Sequence, residues 1–265
     1  MKPRALVLQA RGTNRDFDVF DALLLAGATP ECVPLNSLQK DKKRFVDYEM
    51  LVIAGGFSYA DALGAGKLLA LDLTTYFGDE INAFVEAKKP VIGICNGFQA
   101  LIKSGILPGI VSQTDSTSKT AQSLTLTFNE SGHFECRWVS IQPMSQTCVW
   151  TRSLSELIQC PVAHGEGNLQ VSDANVINRL VMHDQIALIY VNSVGDPAAG
   201  DYPVNPNGSV LDIAGICNEQ GNVLGLMPHP ENHIYPYQHP KRTRGASGFD
   251  GLALFKAGVG YAANL

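Results

Sequence analysis

Along the first hundred positions, apolar residues fall in short continuous runs separated by longer amphipathic stretches. Ala5-Leu6-Val7-Leu8, Cys32-Val33-Pro34-Leu35, Met50 to Ala54 and Val91 to Ile94 are too short for helices and read as buried strands. Phe17 to Ala26 and Ile81 to Lys88 have helical spacing, and Gly27 with Pro30 marks the end of the first helix. That alternation predicts β-α-β units, hence a parallel sheet with helices on both faces.

From Ser123 the pattern changes. SLTLTFNESGHFECRWVSIQP alternates apolar and polar positions around Asn129-Glu130-Ser131-Gly132, which predicts a hairpin and an antiparallel extension of the sheet. Short strands are predicted at Ile186 to Val191, Asp212 to Cys217 and Val223 to Met227, the last two joined by a turn at Asn218 to Asn222. Residues 193 to 209, rich in Gly, Pro and Asn, read as a loop too short to divide domains, so a single domain over residues 1–265 is expected.

Composition narrows the function classes. With 265 residues, 45% hydrophobic and 17% charged, the chain is long enough for one large core. A net charge of −5 without long Lys/Arg clusters argues against nucleic acid and membrane surfaces as partners. The basic stretch Lys241-Arg242-Thr243-Arg244 stands apart and suggests a small anionic or zwitterionic ligand or partner. No apolar run approaches a membrane span, and MKPRALVLQARG is too short in its apolar part for a signal peptide, so a cytoplasmic location is expected. Six scattered cysteines without a C-x-x-C pattern fit reduced thiols.

One cysteine stands out. In VIGICNGFQALI a buried strand turns sharply into a helix, with G-x-C-x-G centred on Cys95, the pattern of a nucleophile elbow built on sulfur. Gly93 and Gly97 give room for close backbone approach, and the helix start offers free N–H groups and positive dipole that favour a thiolate. A buried cysteine is ordinarily a small core residue, and the other five take that reading. The required base and orienting acid are supplied by MPHPE: Pro230 keeps His229 extended, so His229 and Glu231 share a side. In a doubly wound sheet, the strand ending at Met227 would bring them to the edge where Cys95 emerges.

Other histidines compete. His133 and His183 are expected to be surface or structural, while His164 in HGEG reads as part of a substrate-binding loop and as second choice for the base. His229 and His233 are four apart, as zinc ligands on a helix would be, but Pro230 and Pro236 oppose a helix there, so no metal site is expected. Oxyanion donors are expected from the amide of Asn96 and from Gly55-Gly56, where the strand Met50 to Ala54 ends. GAGK at 64–67 lacks the full phosphate-loop pattern and no G-x-G-x-x-G follows a strand, so no ATP or dinucleotide site is expected in this chain.

GICNGFQ, AGGFSYAD, VAHGEGN and IAGICNEQGNVLGLMPHPE together resemble the class I, or triad, glutamine amidotransferases, and the similarity runs over most of the chain. The resemblance implies a flavodoxin-like three-layer sandwich with a mainly parallel central sheet and an antiparallel extension. It implies Cys95 as nucleophile, His229 as base and acid, Glu231 as orienter, oxyanion donors at Gly56 and Asn96, and L-glutamine held by Gln99, Gly165 and Glu166. It further implies ammonia transfer to a large synthetase subunit, which would hold ATP and Mg, aided by a small bridging subunit. Two departures stand in this sequence: Ala60-Asp61 and Gly64 occupy places where the family usually has Gly-Asp and an Arg, and the tail after Glu231 is longer than in compact members. The alternatives are another triad-type amidotransferase, a cysteine peptidase or hydrolase of the wider superfamily, and a non-catalytic regulatory subunit.

Overall fold

A computed structural model describes residues 1–109, 123–246, 248 and 250–265. Its strands are β1 (Arg4–Gln9), β2 (Thr29–Pro34), β3 (Met50–Ile53), β4 (Val91–Ile94), β5 (Leu124–Thr127), β6 (Glu135–Pro143), β7 (Ile158–His164), β8 (Asn168–Val171), β9 (Ile186–Val191), β10 (Ile213–Cys217) and β11 (Val223–Leu226). The α-helices are α1 (Asp16–Ala26), α2 (Leu35–Lys40), α3 (Lys67–Glu86), α4 (Asn96–Lys103), α5 (Ala174–Met182) and α6 (Gly251–Ala262).

Among the described residues, nine strands form the main sheet in the order β2-β1-β3-β4-β11-β10-β9-β6-β7. The first five pair in parallel. From β11 onward each pairing is antiparallel, so β9 and β7 again point with the parallel set. Helices α1 and α6 pack together, as do α3 and α4, and they flank the sheet as the sandwich architecture requires. β3, β4 and β11 are buried at every position, which is why they appear in the sequence as unbroken apolar runs.

Two expectations are corrected. The alternation after Ser123 is not a hairpin: β5 pairs with β8 in a separate two-stranded sheet, while β6 pairs with β7 and β9. Alternation reports one buried face and carries no information on the partner strand. The helix foreseen at Ile81 to Lys88 is the end of a longer one, α3, which begins at Lys67 and buries Leu69, Ala70, Leu73 and Phe77. Gly27 does terminate α1: at φ 101° it turns the chain so that its own amide and that of Ala28 close onto Leu24 and Leu23 carbonyls.

Candidate active site

The site begins at the junction of β4 and α4. Cys95 sits there at φ 51°, ψ −105°, a left-handed conformation unusual for a side chain, and its amide is held by the Leu226 carbonyl at 2.8 Å. Glycine is required on both sides. A Cβ at Gly93 would lie 2.5 Å from Leu101 Cδ1 and 2.8 Å from the Gly97 backbone, and one at Gly97 would lie 1.9 Å from the Ile53 carbonyl oxygen. The first helical bond runs from the Gln99 amide to the Cys95 carbonyl at 3.0 Å, so the amides of Asn96, Gly97 and Phe98 belong to the open first turn. Cys95 itself is 5% exposed, and its thiol donates to the Ala163 carbonyl at 3.7 Å.

β11 lies beside β4 in register, Leu226 against Ile94, and so carries the following segment to the same end of the sheet. His229 is anchored there by its amide on the Pro161 carbonyl at 2.8 Å, and its Nδ1 meets Glu231 Oε1 at 2.7 Å. Both side chains are buried, Glu231 completely. Burial alone would lower the pKa of His229, but the charges of Glu231 and then Cys95, with the hydrogen bond to Glu231, raise it to about 10. Cys95 is therefore a close neighbour of the ring, yet His229 Nε2 makes no bond of good geometry, because the thiol is turned toward Ala163. Such catalytic bonds commonly tighten only when substrate is in place. Gly55 explains the close fit: a Cβ there would lie 2.9 Å from His229 Cε1 and 3.4 Å from Cys95 Cβ.

A pocket of about 150 Å³ opens onto Cys95, with Gly56, Asp61, Gln99, Gly165 and Glu166 in its wall and Phe57, Phe128 and Phe134 also lining it. The expected substrate-holding residues are brought together, but much of their polarity is spent on one another. Gln99 Nε2 donates to the Glu166 carbonyl, and Gln99 Oε1 accepts from Asn96 Nδ2 at 3.1 Å. Asn96 Nδ2 also donates to Asp61 Oδ1, and Asn96 Oδ1 accepts from Ser58. α4 is buried almost all round, so its polar side chains must be paired inside the protein, and they are. Burial, reinforced by the Glu166 charge, raises the pKa of Asp61.

Sequence inspection missed two contributors. Lys103, near the end of α4, donates to the Ala65 carbonyl and lies 3.7 Å from Glu166 Oε2, tying the two lips of the pocket together. A Cβ at Gly64 would be 3.8 Å from its Nζ, so cationic charge reaches the neighbourhood of the departing position from another element. Asn129 orients His164: its Nδ2 donates to the carbonyls of His133 and His164, and its Oδ1 accepts from the Gly167 amide at 3.0 Å. Nothing in the local sequence separates Lys103 from a solvated helix terminus or Asn129 from a turn residue.

His164 is not equipped as the base. Its Nδ1 meets Asn129 Oδ1 at 3.0 Å, and burial, with the charge of His229 adding to it, lowers its pKa to about 3. His133 and His183 are exposed. His233 is buried with Nδ1 on the Gln159 carbonyl at 2.6 Å, away from any zinc-like arrangement with His229. Among the described residues no group of three or more His, Cys, Asp or Glu could hold a metal ion, and no helix is long and apolar enough to cross a membrane.

The model of the CobB/CobQ-like glutamine amidotransferase domain matches residues 2–262. The chain is 53% identical to the phosphoribosylformylglycinamidine synthase subunit PurQ of Treponema denticola, covering 98% of this chain and 99% of that one. It is 41% identical to the subunit of the same name from Dehalococcoides mccartyi, covering 98% of each. The solved structure of PurLQS from Thermotoga maritima aligns at TM-score 0.74 and 33% identity, over 98% of this chain and 99% of that one. The glutaminase domain of Trypanosoma brucei CTPS with bound acivicin aligns at TM-score 0.57 and 13% identity over 99% and 94% of the two chains, a likeness of fold. An elbow cysteine, a buried histidine–carboxylate pair and a match over nearly every residue agree, and the chain belongs to the CobB/CobQ-like glutamine amidotransferase family.

Proposed function

We propose that the chain is the glutaminase subunit of a phosphoribosylformylglycinamidine synthase, hydrolysing L-glutamine to glutamate and ammonia for a synthetase partner. The observation that carries this is the fully buried His229–Glu231 pair seated beside a cysteine on a strained strand-to-helix turn. The names of the relatives supply the reaction that consumes the ammonia.

Cys95 thiolate attacks the side-chain carbonyl carbon of glutamine, and the oxyanion is received by the amides of Asn96 and Gly56. His229, carrying its proton, gives it to the departing ammonia as the tetrahedral adduct collapses to a thioester. The neutral imidazole then takes a proton from water, the hydroxide attacks the thioester, and glutamate leaves while the sulfur regains its negative charge. Glu231 keeps Nδ1 as the hydrogen-bearing nitrogen toward itself, so that Nε2 is the one that works on the reacting side. Gln99, Gly165 and Glu166 shape the substrate pocket.

Ammonia released into neutral water becomes ammonium, which is not a nucleophile, so it passes directly to the synthetase. That partner holds ATP and Mg, and a small bridging subunit joins the two. The experiment is to supply glutamine, ATP and formylglycinamide ribonucleotide to the chain with and without its partners and follow glutamate and amidine product. Slow glutamine hydrolysis by the chain alone, rising when the partners and ribonucleotide are present, is expected. A glutamine-like electrophile that leaves Cys95 unlabelled in the full complex would overturn the catalytic reading, and cleavage of peptides in place of glutamine would assign the site to a hydrolase.

A further inference from the structure

The basic stretch at 241–244 and the long tail that carries it take no part in the glutamine site. The tail beyond Glu231 crosses the antiparallel edge of the main sheet and helps enclose a cavity of about 560 Å³, within the size range of small-molecule sites. This cavity shares no lining residue with the Cys95 pocket. One wall is apolar, from Trp138, Val191 and Val204.

The polar wall carries uncommitted donors. The Lys241 amide donates to His239 Nδ1 at 3.1 Å, so that nitrogen is the acceptor and Nε2 bears the hydrogen. Nε2 then donates to Gln159 Oε1 at 3.1 Å, which occupies the amide oxygen and leaves the Gln159 NH₂ group facing the cavity lining without a partner among the described residues. The hydroxyls of Ser140 and Ser193 are likewise unpartnered among those residues, and the Lys241 side chain forms no ion pair there. No Asp or Glu lines the cavity. Arg242 and Arg244 are exposed on the flanking turn, a local positive field on a chain of net charge −5.

We propose that this cavity binds a small organic anion, its phosphate or carboxylate on Gln159, Ser193 and Lys241 and its apolar body along Trp138. Uncommitted donors with a cation and no carboxylate select an acceptor of negative charge, and the apolar wall selects for more than an inorganic ion. The site stands independently of the glutaminase reading.

Phenyl phosphate is the probe, titrated calorimetrically into the full chain, with phenol and inorganic phosphate as separate arms. Saturable one-site binding is expected, at least tenfold weaker in Lys241→Glu and in Ser193→Asp, while both variants keep the wild-type rate of Cys95 alkylation and so remain folded. Phenol and phosphate should each bind more weakly than the combined probe. A titration that does not saturate, variants that bind as tightly as wild type, or phenol matching phenyl phosphate would each overturn the proposal. Inorganic phosphate binding as tightly as phenyl phosphate would do so as well, since the apolar wall would then contribute nothing.

Discussion

His229 and His164 are near enough for the charge of one to act on the other, each buried, each with Nδ1 held by a side-chain oxygen at 2.7 or 3.0 Å. Their pKa values are driven in opposite directions, to about 10 and about 3. Burial disfavours charge on both rings. What differs is the charge nearby: the carboxylate of Glu231, and after it Cys95, beside one and a neutral amide, Asn129, beside the other. Burial alone keeps an imidazole neutral; a buried counter-charge is what favours its protonated form.

The largest expected effect is at Cys95, the proposed nucleophile. Cys95→Ser should lower glutamine turnover by roughly 10⁴-fold or more, measured as glutamate release by the complex, and should lower the His229 pKa, which the Cys95 charge helps to raise. Next, Glu231→Gln should convert the His229 surroundings into those of His164. Its pKa should fall from about 10 and turnover should drop roughly 10³-fold or more, read by imidazole NMR titration and by steady-state kinetics. An unchanged His229 titration would break the comparison.

The reverse exchange is Asn129→Asp. A carboxylate at that oxygen should raise the His164 pKa from about 3 by roughly 1–3 units, since an opposite charge favours the imidazolium. The same NMR titration checks it, and a His164 that stays neutral at low pH would show that burial outweighs the partner after all.

The two rings also give stability slopes of opposite sign. His229 binds its proton more tightly when folded, so its contribution is full below its unfolded pKa of 6.5 and is lost as pH rises toward 10. His164 binds its proton less tightly when folded, so stability falls as pH drops from 6.5 toward 3. Urea midpoints against pH should lose part of the alkaline slope in His229→Gln and part of the acidic slope in His164→Gln. A smaller effect belongs to the turn below the pocket. Ala60 is held at φ 54°, where glycine carries no Cβ penalty, so Ala60→Gly should stabilise the fold by about 1 kcal/mol in the same urea measurement.

Much of this was legible from local pattern. The strands at the centre of the sheet appear as continuous apolar runs because both faces are covered, and Cys95 is marked by flanking glycines that steric crowding at the elbow makes necessary. His229 and Glu231 are two apart across Pro230, a spacing that holds in the structure as contact. The pairing of β5 with β8 was not legible, because alternation does not say which strand lies opposite. Nor was the opposite titration of the two histidines, since Asn129 is 35 positions from His164 and is turned toward it by three backbone groups contributed by the fold.

By itself, the sequence determined the elbow, the histidine–carboxylate pair and the buried strands β1, β3, β4 and β11, because each depends on residues within a few positions of one another. Only the tertiary structure decided that β11 lies beside β4, that Gly55 leaves space for Cys95 and His229 to meet, and that Lys103 reaches Ala65 and Glu166. Those are contacts between segments far apart in the chain, and packing, with the desolvation it imposes, sets both their geometry and their charge.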